Sequence, residues 1–261
     1  MVVPLGKQVY DVSSMPVVAR GHEFTVAELD GSLAGEVGDI LKDAAGQADL
    51  QDLWTSLNLT QFAEQNVRRA LQASKPVQDW QVGEAIAEAW LVAHQGCSFP
   101  WPFGRDLRNP SASSAGADLV GFRRDPNVGS QFAFGEVKTS GELRFPPQVV
   151  NGRHGLAKQV EELRDLESKK LPLVKYLGYR CRGQAWESDY KEAATKYFGD
   201  SSDVVLFGVL VRDVAPNQDD LASRSKKLAK ACPAKTEVSL FALYLDRGCI
   251  EGLPQRARLA P

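Results

Sequence analysis

Residues 116 to 140 read Gly116-Ala117-Asp118-Leu119-Val120-Gly121-Phe122, then a polar turn, then Phe132-Ala133-Phe134-Gly135-Glu136-Val137-Lys138-Thr139-Ser140. Two apolar runs flank turn residues, which is the pattern of two strands joined as a hairpin. Side chains at i and i+2 share one face of a strand, so Glu136 and Lys138 point the same way while Val137 points into a core. If the runs pair, Asp118 comes to lie near Glu136, and two carboxylates and an ammonium converge. Carboxylates hold Mg²⁺, and metal ions assist phosphodiester hydrolysis. A lysine there can orient the attacking water or stabilise charge on the phosphate.

The bare pattern of acid, any residue, lysine discriminates little. It occurs at Glu136-Val137-Lys138, Glu167-Ser168-Lys169 and Asp189-Tyr190-Lys191. The second lies in a charged run, Glu161 to Lys170, that reads as an exposed helix, and the third opens another helical stretch. Only the first has an apolar, strand-like context with a second carboxylate on the strand before it. Upstream, Val82, Ile86, Ala89, Trp90 and Ala93 recur at helical spacing, which predicts a mostly buried helix. Glu84 and Glu88 sit one turn apart on it. A carboxylate buried there needs a partner, a metal or a lysine. For Glu88 a place facing water is the preferred reading.

Helix with Glu84, strand with Asp118, strand with Glu136-x-Lys138, then a helix from about Gly155 to Lys169: this order resembles the PD-(D/E)xK nuclease superfamily. The resemblance covers roughly residues 80 to 211. It implies an α/β fold with a restriction-endonuclease-like core, a mixed central sheet flanked by helices. It further implies a nuclease that hydrolyses DNA with Mg²⁺ or Mn²⁺. Under it Glu84 is the helix acid, Asp118 and Glu136 are the metal carboxylates, and Lys138 is the catalytic lysine. Ala117 stands where the family name has proline. Gln159 is followed at the fourth position by Leu163 rather than tyrosine, so the RecB-like branch is not supported. The Gly-Glu helix, the Gly-Ala-Asp strand and the Phe-Gly-Glu-Val-Lys strand, with a helix and two apolar strands after them, are also similar to the nuclease subunit of Hachiman-type anti-phage systems. That subfamily implies a helicase partner.

The formal net charge of −2 does not advertise nucleic-acid binding, but its distribution is uneven. Residues 1–62 carry a net −6 and residues 144–182 a net +5. The basic stretch follows the Glu-Val-Lys strand and offers a surface for a phosphate backbone. An ordinary solvated helix explains it equally well. Arg153, Lys158 and Gln159 are candidate nucleic-acid contacts on and before the following helix. Arg123 and Arg124, in the hairpin turn, are weaker candidates, and a solvated turn is the stronger reading of them. Phe99, Trp101 and Phe103 interleave with Arg105 and Arg108 in a Pro-, Gly- and Ser-rich loop over 97–116. Such a set stacks bases and holds phosphates, or it covers a core edge, and the second reading carries more weight.

The remaining sequence bounds the architecture. Residues 1–76 read as short strands and then helices, an acidic, mainly helical extension before a nuclease-like domain over 77–261. They form either a docking or guarding element or an extra packing layer on the same domain. One helical stripe there is Leu33, Val37, Ile40 and Leu41; another is Ala63, Val67, Ala70 and Leu71. Val204–Val211 is a continuous apolar run and predicts a buried strand. A basic helix is expected over about 221–231, a last strand over Val238–Leu245, and a loose tail at Gln255–Arg258. Cys97, Cys181, Cys232 and Cys249 are widely spaced, which argues against structural zinc and for reduced thiols. With no 18-residue apolar run and no signal-like N-terminus, no membrane span is expected and the expected location is cytoplasmic. Neither a Gly-rich phosphate loop nor a nucleophile elbow is found, which disfavours a small-molecule enzyme. Two alternatives remain: a non-catalytic nucleic-acid-binding or assembly subunit on the same fold, and a restriction endonuclease.

Overall fold

A computed structural model describes residues 2–57, 65, 66, 69, 77–102, 105 and 116–259. The second stripe expected in the N-terminal part, at 63–71, and Phe103 and Arg108 of the aromatic loop lie outside the described residues. The fold is α/β. Its centre is a seven-stranded mixed sheet in the order β1-β2-β7-β6-β5-β4-β3. The strands are β1 (Lys7–Asp11), β2 (Val18–Glu23), β3 (Cys97–Ser98), β4 (Leu119–Asp125), β5 (Gly129–Ser140), β6 (Val204–Arg212) and β7 (Glu237–Tyr244). Strands β2, β7, β6 and β5 run parallel as a central block, and β1, β4 and β3 add antiparallel edges. Every residue of β6 is buried, as expected for a parallel strand covered on both faces.

The helices divide between the two faces. On one lie α1 (Val26–Ala34), α2 (Glu36–Lys42), α4 (Asp79–Gln95) and α9 (Leu253–Leu259), with α3 (Ala44–Thr55) packed beside α2. Phe24, Leu29, Leu33 and Val37 share a core there with Val82, Ile86 and Trp90 of α4 and with Val205, Val209 and Phe241 of the sheet. Burying such large apolar side chains contributes about 1.5–3 kcal/mol each, which is what holds the amphipathic helices down. On the other face lie α5 (Leu156–Asp165), α6 (Glu167–Arg180), α7 (Glu187–Gly199) and α8 (Ala222–Ala229), packed over Phe132, Phe134, Leu206 and Leu240.

Several expectations change. The sheet and its core run across the expected boundary at residue 76, because β2 pairs with β7 and the stripe at Leu33–Leu41 packs against α4. That stripe is two helices, broken at Gly35. The charged run 161–170 is not one exposed helix. It breaks at Leu166, and Arg164 and Lys170 are buried, with Lys170 Nζ donating to the Arg164 carbonyl at 3.1 Å. The tail at 255–258 is not loose. It belongs to α9, where Arg256 pairs with Asp30 at 2.8 Å and Asp246 at 3.0 Å.

Candidate functional site

Strands β4 and β5 form the expected hairpin, with Leu119 opposite Gly135 and Phe122 opposite Phe132. This register sets Asp118, the residue before β4, beside Glu136. The Val137 amide donates to Asp118 Oδ2 at 2.7 Å, which fixes the carboxylate at the strand end. Lys138 Nζ lies 3.7 Å from Asp118 Oδ2 and 3.6 Å from Glu136 Oε2. The two acids and the lysine expected to converge therefore do so. The cluster sits where the β4–β5 ladder begins, with Glu136 in register with Gly208 in the middle of β6.

Burial grades the three side chains. Glu136 is 3% exposed, Asp118 15% and Lys138 22%. Glu136 Oε2 is buried and receives no hydrogen bond. Burial first, and then the negative charge of Asp118, push the Glu136 carboxyl up to about 8, with Lys138 opposing. Glu84, the helix acid, stands beyond ion-pair distance of Lys138. Burial and the Asp118 charge push it up to about 8 as well, again against the pull of Lys138. It thus belongs to the electrostatic neighbourhood of the cluster without touching the lysine.

Two glycines allow the helices to approach the cluster. A Cβ on Gly83 of α4 would stand 1.9 Å from Thr139 Oγ1 of β5, so only glycine admits this contact and the helix that carries Glu84. A Cβ on Gly208, the β6 residue in register with Glu136, would meet Leu240, Val160 and Leu156 at 2.8, 3.2 and 3.6 Å. Helix α5 therefore seats its first turns over the strand beside Glu136. Gln159 lies on those turns with Oε1 buried and unbonded. Lys158 is exposed and paired with Glu161 at 3.1 Å, and Arg153 is exposed just before the helix. Arg123 and Arg124 are not at the cluster. They stand five and six residues along β4 from Asp118, roughly 17–20 Å at strand rise. Arg123 pairs with Asp125 at 3.2 Å and with Glu237, and Arg124 with Asp189 at 2.5 Å.

The site has a part that the motif does not announce. A cavity of about 230 Å³ opens at the start of β4, between α4 on one face of the sheet and α6 on the other. Asp118 lines it, so one carboxylate borders both the cluster and the cavity. Phe99, Trp101, Leu173 and Tyr176 form apolar walls, and Glu88 brings the polar group. Glu88, expected to face water, is enclosed on most sides. Burial first, and then the charge of Asp43, push its carboxyl up to about 7.

Among the described residues, no three His, Cys, Asp or Glu side chains stand together as a ready metal-ligand set. Mg²⁺ does not require one. It is commonly held by one or two carboxylates, with waters and substrate phosphates filling the other positions. Asp118 and Glu136 supply two hard oxygen donors, one of them an unbonded buried oxygen, so the residues fit Mg²⁺ or Mn²⁺. Among the described residues, no helix is long and apolar enough to cross a membrane. No protein-family model matches this chain, and no curated protein matches it in sequence.

Proposed function

We propose that the chain is a metal-dependent nuclease of the PD-(D/E)xK type that hydrolyses DNA phosphodiester bonds. One observation carries the reading: Lys138 Nζ within 4 Å of both Asp118 and Glu136 at the end of a two-strand hairpin. Mg²⁺ bound there would neutralise phosphate charge and lower the pKa of a bound water. Asp118 would be a metal ligand already oriented by the Val137 amide. Glu136 would be the second ligand once its proton is lost. Lys138 would leave the carboxylates for the phosphate or the water. Glu84 would tune the charge of the cluster, and Gln159, whose Oε1 on α5 is buried and unbonded, would offer a polar group to the substrate. Arg153 and Lys158 would contact the backbone at the rim.

The restriction-endonuclease-like core is part of this proposal, as is a role in anti-phage defence beside a helicase, which rests on the sequence resemblance alone. Supercoiled plasmid incubated with the protein, with Mg²⁺ or with EDTA, beside Lys138→Ala, tests the chemistry. Nicking that requires both Mg²⁺ and Lys138 is the expected result. Cleavage that persists in Lys138→Ala refutes the site. DNA binding without cleavage favours the non-catalytic alternative. Co-purification with a helicase encoded nearby tests the partner.

A further inference from the structure

We propose that the cavity at the start of β4 is a base pocket, which takes one unpaired nucleobase of the DNA whose phosphate lies at the Asp118–Glu136–Lys138 cluster. The inference rests on the nuclease reading for the phosphate's position, while its own evidence lies in the cavity walls.

Size comes first. Pockets for drug-sized ligands run to ~300–1,000 Å³, so a cavity of about 230 Å³ suits a smaller group such as a single ring system. The walls are the second point. Phe99, Trp101 and Tyr176 give aromatic surface from the loop after α4 and from α6, and Leu173 closes the side. Aromatic faces of this kind stack bases of any sequence. Charge is the third. The Arg105 guanidinium lies 5.3 Å from the Trp101 ring centre and that of Arg180 6.0 Å, with Arg180 also 3.9 Å from the Tyr176 ring. The aromatic wall is thus backed by cations, which suits a polyanion. Arg105 is anchored by Asp43 at 2.7 Å, so its position is set before any ligand arrives.

Glu88 then makes the cavity selective. It lines an otherwise apolar wall and forms no hydrogen bond or ion pair among the described residues. The carboxyl borders the cavity, so it is placed to bond a ligand that enters. An ionised carboxylate only accepts, so its two oxygens suit two adjacent N–H donors. Guanine presents such a pair, N1–H and its amino group, on one edge, whereas adenine, cytosine and thymine each set a donor beside an acceptor. The pocket therefore prefers guanine. Because Asp118 borders both spaces, a phosphate at the cluster and the base of the adjoining nucleotide are served together. An unpaired base is required, since a base stacked in a duplex cannot turn into a cavity this small.

The test measures binding to the full chain in EDTA, where cleavage is silent, so it does not depend on the nuclease result. The probes are single-stranded 12-mers of deoxythymidine carrying one central 2-aminopurine, guanine, cytosine or thymine, at pH 8.5. The expected result is quenching of the 2-aminopurine emission, with guanine bound ~10-fold or more tighter than cytosine or thymine. Leu173→Trp fills the cavity and should abolish both effects. Glu88→Gln keeps the volume and guards against a folding artefact. It should retain the quenching and erase or reverse the preference. Equal affinity for all four probes, or quenching and preference unchanged in a folded Leu173→Trp protein, overturns the proposal. Failure of plasmid cleavage with these binding effects intact would remove the nuclease and leave the base pocket. Cleavage with no base effect would do the reverse.

Discussion

Glu136 is held where its charge is unwelcome, and that has a measurable cost. The perturbation is Glu136→Gln, which keeps the shape, lets the amide donate to Asp118 where the shared proton would lie, and leaves Glu84 in both proteins. The Glu136 carboxyl is raised from 4.5 to about 8 by burial and by Asp118. Between those two values the folded protein holds a proton that the unfolded chain has lost, so this group lowers stability as pH rises through that window. At 1.36 kcal/mol per unit the ceiling is about 5 kcal/mol above pH 8. Lys138 stays 22% exposed, so water reaches the cluster and screens it, and about 2 kcal/mol is the expected gain of Glu136→Gln at pH 8. At pH 4.5 the gain should approach zero. Urea unfolding in EDTA, followed by tryptophan fluorescence at both pH values, reads the difference. The same variant should lose the metal's stabilising effect. A Glu136→Gln variant that is less stable than the wild type at pH 8, or one whose gain is the same at both pH values, would refute the assignment of a strained, charge-poor Glu136.

Four further outcomes are expected. Lys138→Ala should reduce cleavage by about 10²-fold or more, the scale for removing one group that stabilises developing charge. It should also destabilise the protein more at pH 8 than at pH 5, because two facing carboxylates lose the cation between them. Mg²⁺ should raise the calorimetric Tm of the wild type, by about 1.4 kcal/mol of stability at tenfold its Kd. The effect should grow from pH 6 to pH 8, since the Glu136 proton must leave before a metal is held, and Asp118→Asn should abolish it. Gly83→Ala should cost ~1–3 kcal/mol by overpacking against Thr139, and adding Thr139→Ala should recover much of the loss in a double-mutant cycle. Arg123→Ala and Arg124→Ala should leave cleavage unchanged, since both arginines lie away from the cluster and are engaged by Asp125, Glu237 and Asp189.

The cluster was legible because strand geometry is nearly deterministic over short range. Once 119–125 and 132–140 are read as paired strands, the period of two places Glu136 with Lys138, and the antiparallel register brings Asp118 to them. The same logic made the buried β6 legible as a continuous apolar run. What escaped depends on long-range packing. Helix α6 carries Pro172 and Gly178, which read as breakers, yet the helix continues through both and delivers Leu173 and Tyr176 to the cavity. Glu88 shares a helix face with Glu84, and nothing local says that one approaches the lysine cluster while the other faces an aromatic slot. Arg164 and Lys170 look solvated by residue type, and they are buried because backbone carbonyls at Leu228 and Arg164 receive their protons. Local periodicity therefore predicts where carboxylates meet on one sheet, whereas the selective part of the site is assembled from a loop, two helices and a strand end. Their junction exists only after the sheet has closed the distance between residues 88 and 176. Substitutions at Glu88 or Leu173 should accordingly alter which DNA is chosen while sparing the Asp118–Glu136–Lys138 cluster, and this separation is what the paired binding and cleavage measurements are built to detect.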